Sequence, residues 1–248
     1  MIPLRPAKGD GAMSDHTIKA FDADLQELVR SVADMGGRVE QQVAAAADAL
    51  ATHNSVLAHR IIAADTDIDV LQRQIEEKAI LTIARRQPMA VDLREIVATL
   101  RIASDLERMG DYAKNIGKRV VAIGDGACPN AVLRGVRHMS DLVLGALKQV
   151  LDAYARRDLK QAIAVWRGDE EIDAVNNSLF RELLTYMMED PRNITFCTHL
   201  LFCAKNIERI GDHATNIAET IYYMATGAQP VGERPKDDTA NTVGAIGN

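Results

Sequence analysis

The feature that most constrains the fold of this 248-residue chain is an internal duplication. Residues 107–116 read ERMGDYAKNI and residues 208–217 read ERIGDHATNI, so seven of the ten positions are identical. A second match lies upstream, where residues 65–69 read DTDID and residues 169–173 read DEEID. The upstream segments are 104 residues apart and the downstream segments 101, so the connection between them differs by three residues. Such a repeat predicts two homologous halves.

Each half has the periodicity of three long helices. Apolar residues recur every three or four positions in the first helix, as one face of an amphipathic helix requires. These residues are Phe21, Leu25, Leu28, Val32, Met35, Val39, Val43, Ala47 and Leu50. Asn54 or Ser55 is a good N-cap for the second helix, and Gln87-Pro88 ends it near Arg86.

The second half repeats this order, with helices predicted over 131–156, 159–189 and 193–226. The fold class is therefore all-α, with six long helices in two tandem homologous three-helix bundles. The predicted organisation is a flexible leader, two bundles and a disordered tail. Its boundaries are 1–15, 16–126, 127–226 and 227–248.

Composition excludes several classes of protein. The net charge of −6 argues against nucleic acid as a main partner, because phosphate binding needs a basic face. The cysteines, at positions 128, 197 and 203, form neither a CxxC motif nor a zinc-binding spacing. No apolar run approaches the ~20 residues that a membrane span requires, and the N-terminus lacks the apolar region of a signal peptide. We therefore predict a soluble, cytoplasmic protein.

The most informative polar residues are acid pairs at spacing i, i+4, which places both carboxylates on one helix face. The first half has Asp65 with Asp69 and Glu107 with Asp111, and the second half has Asp169, Asp173, Glu208 and Asp212. A single such pair is typical of a solvated surface. Here, however, a glycine lies inside each third-helix pair, and Asn115 and Asn216 continue the acidic face as further candidate ligands.

The second and third helices of each half should be antiparallel neighbours, so their acid pairs can face each other. Four carboxylates from two helices would repel one another without a cation, and their hard oxygen atoms suit Mg²⁺, Mn²⁺, Ca²⁺ or iron. We therefore predict a metal site in each half, with a solvated acidic face as the alternative. His213 is not assigned as a ligand, and Arg108 and Arg209 are expected to pair with surface acids.

At these motifs the sequence resembles the PhoU family, the accessory proteins of phosphate-specific transport systems. The resemblance is carried by ERMGD and ERIGD with the following Asn, by DTDID and DEEID, and by the segment DHTIKAFD at 15–22. It covers about residues 15–226 and implies two three-helix bundles related by a pseudo-twofold axis. The Asn/Gly-rich tail after residue 227 departs from the family pattern.

The resemblance also implies function. Members bind metal clusters through E/DxxxD motifs, reported with iron or zinc and associated with Mg²⁺ or Mn²⁺. They restrain phosphate uptake and the phosphate-starvation response by contacting a sensor histidine kinase (PhoR-like) and the ATPase of the phosphate ABC transporter (PstB-like). They are dimers or higher oligomers, and they reach the membrane only through partners. Carried onto this chain, the resemblance implies that the metal ligands are the eight acids of the i, i+4 pairs. The four acids of each half are called its acid cluster below.

The leading hypothesis is thus a non-enzymatic, metal-binding adaptor. The alternative is an all-α Mg²⁺-dependent nucleotide pyrophosphohydrolase, which also gathers acids from neighbouring helices. Such enzymes favour i, i+3 acid spacing and need a nucleotide pocket, and neither is evident in the sequence. A ferritin-like di-iron oxidase is a third class, but it requires a repeated ExxH motif that the acid-pair helices lack.

Overall fold

The computed structural model of the chain describes residues 10–124 and 130–230. Within these ranges the first bundle consists of α1 (Asp10–Thr52), α2 (Ser55–Arg86) and α3 (Ala90–Ile123). The predicted boundary at 126/127, and parts of the predicted leader and tail, lie outside the described residues. The all-α prediction is confirmed, because every regular element of the described ranges is helical.

The second bundle contains α4 (Asn130–Arg156), α5 (Leu159–Arg167), α6 (Asp169–Glu189), a short 3₁₀ turn (Pro191–Asn193) and α7 (Ile194–Thr226). We expected one continuous helix over 159–189, but Gly168 divides it into α5 and α6. The equivalent residue of the first half, Ala64, lies inside the unbroken α2. Glycine costs about 1 kcal/mol relative to alanine inside a helix, which explains why the break occurs in this half.

Local sequence signals explain the hairpin between α1 and α2 and the end of α2. The Asn54 side chain accepts a hydrogen bond from the backbone N–H of Leu57 at 2.9 Å, as the predicted N-cap should. Gln87 then ends α2 in the left-handed conformation, with φ of 47°, directly before Pro88. The resulting short connections make consecutive helices antiparallel neighbours.

The apolar stripe of α1 forms part of the core, as predicted. Seven of its nine residues are buried, and Phe21 and Ala47 are half-buried. The core of the first bundle is continuous with that of the second. The two halves therefore pack as one unit rather than as separate globules.

Helices α3 and α7 make the most extensive contact between the bundles. They are antiparallel, since Arg119 near the end of α3 lies over the ring of Phe202 and Arg101 nearer its start lies over that of Tyr223. Tyr112 and His213 occupy equivalent positions of the duplication, and their ring centroids are 5.6 Å apart. This contact between equivalent residues places the pseudo-twofold axis close to them.

A buried hydrogen bond also joins the bundles. Thr99 of α3 donates its hydroxyl to the carbonyl of Glu95 and lies 2.9 Å from the hydroxyl of Tyr154 on α4. Tyr154 must therefore be the donor to Thr99. Within the described ranges, no helix carries an apolar stretch of the length that a bilayer crossing needs.

Candidate functional site

The eight predicted acids lie at the contacts of α2 with α3 and of α6 with α7, and none of them is fully exposed. Four are half-buried, namely Asp69, Glu107, Asp111 and Asp212, and the other four are buried, namely Asp65, Asp169, Asp173 and Glu208. By contrast, Asp67, Glu170 and Glu171, which belong to the same acidic segments, are exposed. The acids at spacing i, i+4 are thus less exposed than the other acids of the same segments, which argues against a simple solvated face.

The duplicated glycines are explained by helix packing. A Cβ atom built on Gly110 would lie 3.0 Å from Cδ1 of Ile68, and one built on Gly211 would lie 3.0 Å from Cδ1 of Ile172. Ile68 and Ile172 are themselves equivalent residues inside the DTDID and DEEID segments. Each glycine therefore lets the two acid-bearing helices approach closely, and it contributes to the site indirectly.

In the first half, a lysine lies between the acids of the two helices. Nζ of Lys114 donates to Oδ2 of Asp65 at 2.5 Å and to Oδ1 of Asp111 at 2.8 Å. The hydrogen bonds to Asp111 and then to Asp65 raise the pKa of Lys114 well above its usual range. An ammonium group thus supplies positive charge where the sequence predicted a metal ion.

Glu107 belongs to the same first-half cluster. Its pKa is raised, first by partial burial and then by the negative charge of Asp111, with smaller contributions from Asp69 and Asp65. All four acids predicted for the first half therefore interact electrostatically. Their mutual repulsion is the physical reason for a cation at this position.

The second half gathers its acids in a similar way. Burial raises the pKa of Glu208, the hydrogen bond from Lys205 opposes this shift, and the charges of Asp212 and Asp173 add to it. Nζ of Lys205 donates to Oε1 of Glu208 at 2.8 Å. Among the described residues, Oε2 of the same carboxylate is buried without a hydrogen-bond partner. This second cluster thus contains an oxygen atom whose burial is uncompensated.

The fourth acid of this cluster is held by a hydroxyl group. Thr215, which replaces Lys114 in the repeat, donates its hydroxyl to Oδ1 of Asp169 at 3.2 Å. Sequence reasoning missed Lys114, Lys205 and Thr215. The Lys114/Thr215 difference, at one of the three positions where the repeated motifs differ, was the available signal for two of them.

The chemistry of these clusters suits a hard cation, although a ligand set is not assembled in this conformation. No three His, Cys, Asp or Glu side chains of the described ranges are grouped closely enough to hold a metal ion. Asn115 is half-buried, while Asn216 lines a groove between α3 and α7 together with Arg101 and Glu219. Metal ligation by the eight acids and two asparagines therefore stays a prediction.

Other residues singled out in the sequence have structural contacts. Nδ1 of His213 lies 2.8 Å from Oδ1 of Asp105 across the interface between α3 and α7. We expected Arg209 to pair with a surface acid, but within the described ranges its guanidinium lies over the ring of Tyr112, 5.7 Å from the ring centroid. These contacts hold the two bundles together next to the acid clusters.

Comparison with known proteins supports the duplication directly. A sequence model of the PhoU domain matches twice, at residues 32–120 and at residues 136–221. The starts of the two matches are 104 residues apart and their ends 101, which are the two offsets of the repeated motifs. The chain belongs to the PhoU family.

Full-length relatives agree with this assignment. A protein of Rhizobium meliloti named phosphate-specific transport system accessory protein PhoU homolog is 60% identical over 231 residues, which cover 93% of this chain and 98% of that protein. A protein of the same name from Caulobacter vibrioides is 53% identical over 226 residues, covering 91% and 98% of the two chains. The likeness thus extends over both bundles.

Solved structures confirm the fold. The crystal structure of PhoU from Pseudomonas aeruginosa is 38% identical with a TM-score of 0.81, and it covers 84% of this chain and 100% of that one. The phosphate transport system regulatory protein PhoU from Streptococcus pneumoniae is 31% identical with a TM-score of 0.79, covering 85% and 99%. The tandem three-helix architecture is therefore that of PhoU proteins.

Proposed function

We propose that this protein is a phosphate transport accessory protein that negatively regulates phosphate uptake and the phosphate-starvation response. The observation that carries the proposal is the similarity over both halves to proteins named as accessory or regulatory components of phosphate transport. In this role it is a cytoplasmic, non-enzymatic adaptor between a phosphate ABC transporter ATPase and a sensor histidine kinase. It acts as a homodimer and reaches the membrane through these partners.

The same proposal includes metal binding at the two acid clusters. The supporting observations are the repeated burial of the acids and the unpartnered Oε2 of Glu208. Iron, zinc, magnesium or manganese ions would neutralise the carboxylates and draw the second and third helices of each half together. In the first half Lys114 would have to leave Asp65 and Asp111 for these oxygens to become ligands.

A metal assay on protein purified without chelator tests this part. We expect Asp111→Ala combined with Asp212→Ala to lower the bound metal measured by mass spectrometry. The matched control is Asp67→Ala, which removes an exposed acid from the same region. An unchanged metal content in the double variant, with wild-type content in the control, would show that the ligand assignment is wrong.

The adaptor role is supported by apolar side chains exposed around the connections between the second and third helices. In the first half, 80% of Met89 and 67% of Val91 are exposed at the start of α3. In the second half, 85% of Met188 and 49% of Ile194 are exposed at the corresponding connection. Exposed methionines of this kind are common on surfaces that bind other proteins.

Co-purification at native expression levels tests the partners. We expect the transporter ATPase and the histidine kinase to be recovered with the wild-type protein. Met89→Glu and Met188→Glu, made separately, show which connection contacts which partner, because a charge on an apolar interface opposes its burial. Recovery of neither partner with the wild type would count against the adaptor proposal.

The enzymatic alternative has a direct assay. Incubation with nucleoside triphosphates and Mg²⁺ should release no pyrophosphate above the background of a protein-free sample. Release that is lost in the Asp111→Ala variant would replace the adaptor proposal with a pyrophosphohydrolase.

A further inference from the structure

A groove between α1 and α2 of the first bundle is lined by none of the eight predicted metal ligands and is unused by the proposed function. Its volume is about 290 Å³, near the lower end of the range for small-molecule sites. Residues at helical spacing line both sides, with Arg38, Gln41 and Gln42 on α1. Arg60 and Ile61 contribute from α2. Groups that can donate hydrogen bonds therefore border the groove on both helices.

The floor of the groove is fixed by a buried side chain. Nε2 of Gln42 donates to the carbonyl of Ile61 at 3.1 Å and so ties α1 to α2. Ala45, Leu57 and Ile68 line the groove together with this glutamine, so most of the groove's lining surface is apolar. A ligand of this groove therefore needs an apolar or planar part as well as a polar group.

The two arginines are available for a ligand. Among the described residues Arg38 forms an ion pair with Asp34 alone, at 3.4 Å, and this pair is weak because both side chains are at least half exposed. Within the described residues Arg60 forms no ion pair. Asp67 is the acid of the lining, which leaves one net positive charge in a protein with net charge −6.

The second bundle has a groove at the equivalent place, between α4 and the helices that follow it, with a volume of about 230 Å³. Leu142 and Ala164 replace the two arginines at the 104-residue offset, and Ala146 replaces Gln42. Its described lining residues include three acids and no Lys or Arg, the acids being Asp141, Asp169 and Glu171. The duplication thus preserved the groove while its charge changed sign.

We propose that the first-bundle groove binds a small phosphate monoester, with the phosphate between Arg38 and Arg60 and an apolar or planar body on the Gln42 floor. Guanidinium groups match phosphate oxygens by paired, charge-assisted hydrogen bonds. The volume exceeds that of an inorganic phosphate ion alone, which favours an ester with a body. This proposal depends neither on metal binding nor on the protein partners.

Isothermal titration calorimetry with AMP, inorganic phosphate and adenosine tests the proposal on the full-length protein. We expect AMP to bind more tightly than phosphate, and adenosine to show no measurable heat. Arg38→Gln and Arg60→Gln should each weaken AMP binding about tenfold, as expected for the loss of one charge-assisted contact. Both residues are exposed, so the variants should unfold at the wild-type temperature.

The second groove provides the matched control. Leu142→Arg combined with Ala164→Arg in the Arg38→Gln, Arg60→Gln background should not restore wild-type affinity, because Asp141, Asp169 and Glu171 still repel the phosphate. Equal binding of AMP and adenosine, or AMP binding that is unaffected by the arginine substitutions, would overturn the proposal. Binding of an acidic peptide without binding of any phosphate ester would also overturn it.

Discussion

Replacing Lys114 with methionine tests whether the first acid cluster contains its own cation. The substitution keeps a long apolar side chain but removes the ammonium that contacts Asp65 at 2.5 Å and Asp111 at 2.8 Å. Asp65 is then left as a buried carboxylate, with 7% of its side chain exposed. The metal-free variant should therefore be less stable than the wild type.

The expected magnitude follows from burial. Removing one partner of a buried ion pair costs about 3–5 kcal/mol, and exposed pairs contribute about 0–1 kcal/mol. Because 24% of the Lys114 side chain is exposed, we expect a loss of about 2–3 kcal/mol. The raised pKa of Lys114 means that its contribution to stability is complete below the ordinary lysine pKa and decreases only above it. The loss should thus be constant between pH 7 and pH 9.

Urea denaturation with EDTA and then with MnCl₂ measures both effects. Metal at 100 times its Kd stabilises a protein by about 2.7 kcal/mol. In the Lys114→Met variant no ammonium competes for the carboxylates, so metal should stabilise the variant more than the wild type. Lys118→Met is the control, because Lys118 is exposed on the same helix and its loss should change stability by less than about 0.5 kcal/mol. A loss of that small size at position 114, or equal stabilisation of both proteins by metal, would refute the reasoning.

Three further predictions concern charge, packing and the interface between the bundles. Burial raises the pKa of Glu208 in the folded state, so the stability that this carboxyl contributes decreases as the pH rises from the ordinary Glu pKa through the pKa of the folded state. In urea titrations with EDTA, the Glu208→Gln variant should therefore lose less stability between pH 4 and pH 7 than the wild type. Gly145→Ala should raise the free energy of unfolding by about 1 kcal/mol, because no atom lies within 4 Å of the new Cβ. Gly211→Ala should lose this gain, because overpacking against Ile172 costs about 1–3 kcal/mol. Equal stability of the two variants in thermal unfolding would contradict the packing argument. Tyr154→Phe should cost about 1 kcal/mol at pH 7 by removing the donor to Thr99. Burial raises the pKa of Tyr154 to about 12, so the wild type loses stability relative to the variant above pH ~10, and the difference should vanish and then reverse as the pH approaches 12.

Much of the fold could be predicted because its signals are local. The spacing of Leu28, Val32 and Met35 predicted the buried face of α1, and Asn54 and Gln87-Pro88 marked the ends of α2. Gly168 is also a local signal for the break between α5 and α6, but the predicted helix over 159–189 followed the unbroken α2 and did not take this glycine into account. The matched offsets of 104 and 101 residues were sufficient to predict two homologous bundles, and the two PhoU domain matches agree with them.

The sequence by itself determined which carboxylates share a helix face, because the i, i+4 spacing fixes this within a single helix. Only the tertiary structure decided what those carboxylates contact. Lys114 bridges Asp65 and Asp111 because close packing of α2 on α3 at Gly110 brings groups 49 residues apart within hydrogen-bond distance. The two grooves likewise form only where α1 packs beside α2 and where α4 packs beside α5 and α6. The opposite charges of their lining residues therefore follow from the tertiary structure. Contacts between helices depend on side-chain direction and interaxial distance, and neither quantity is encoded in the periodicity of a single helix.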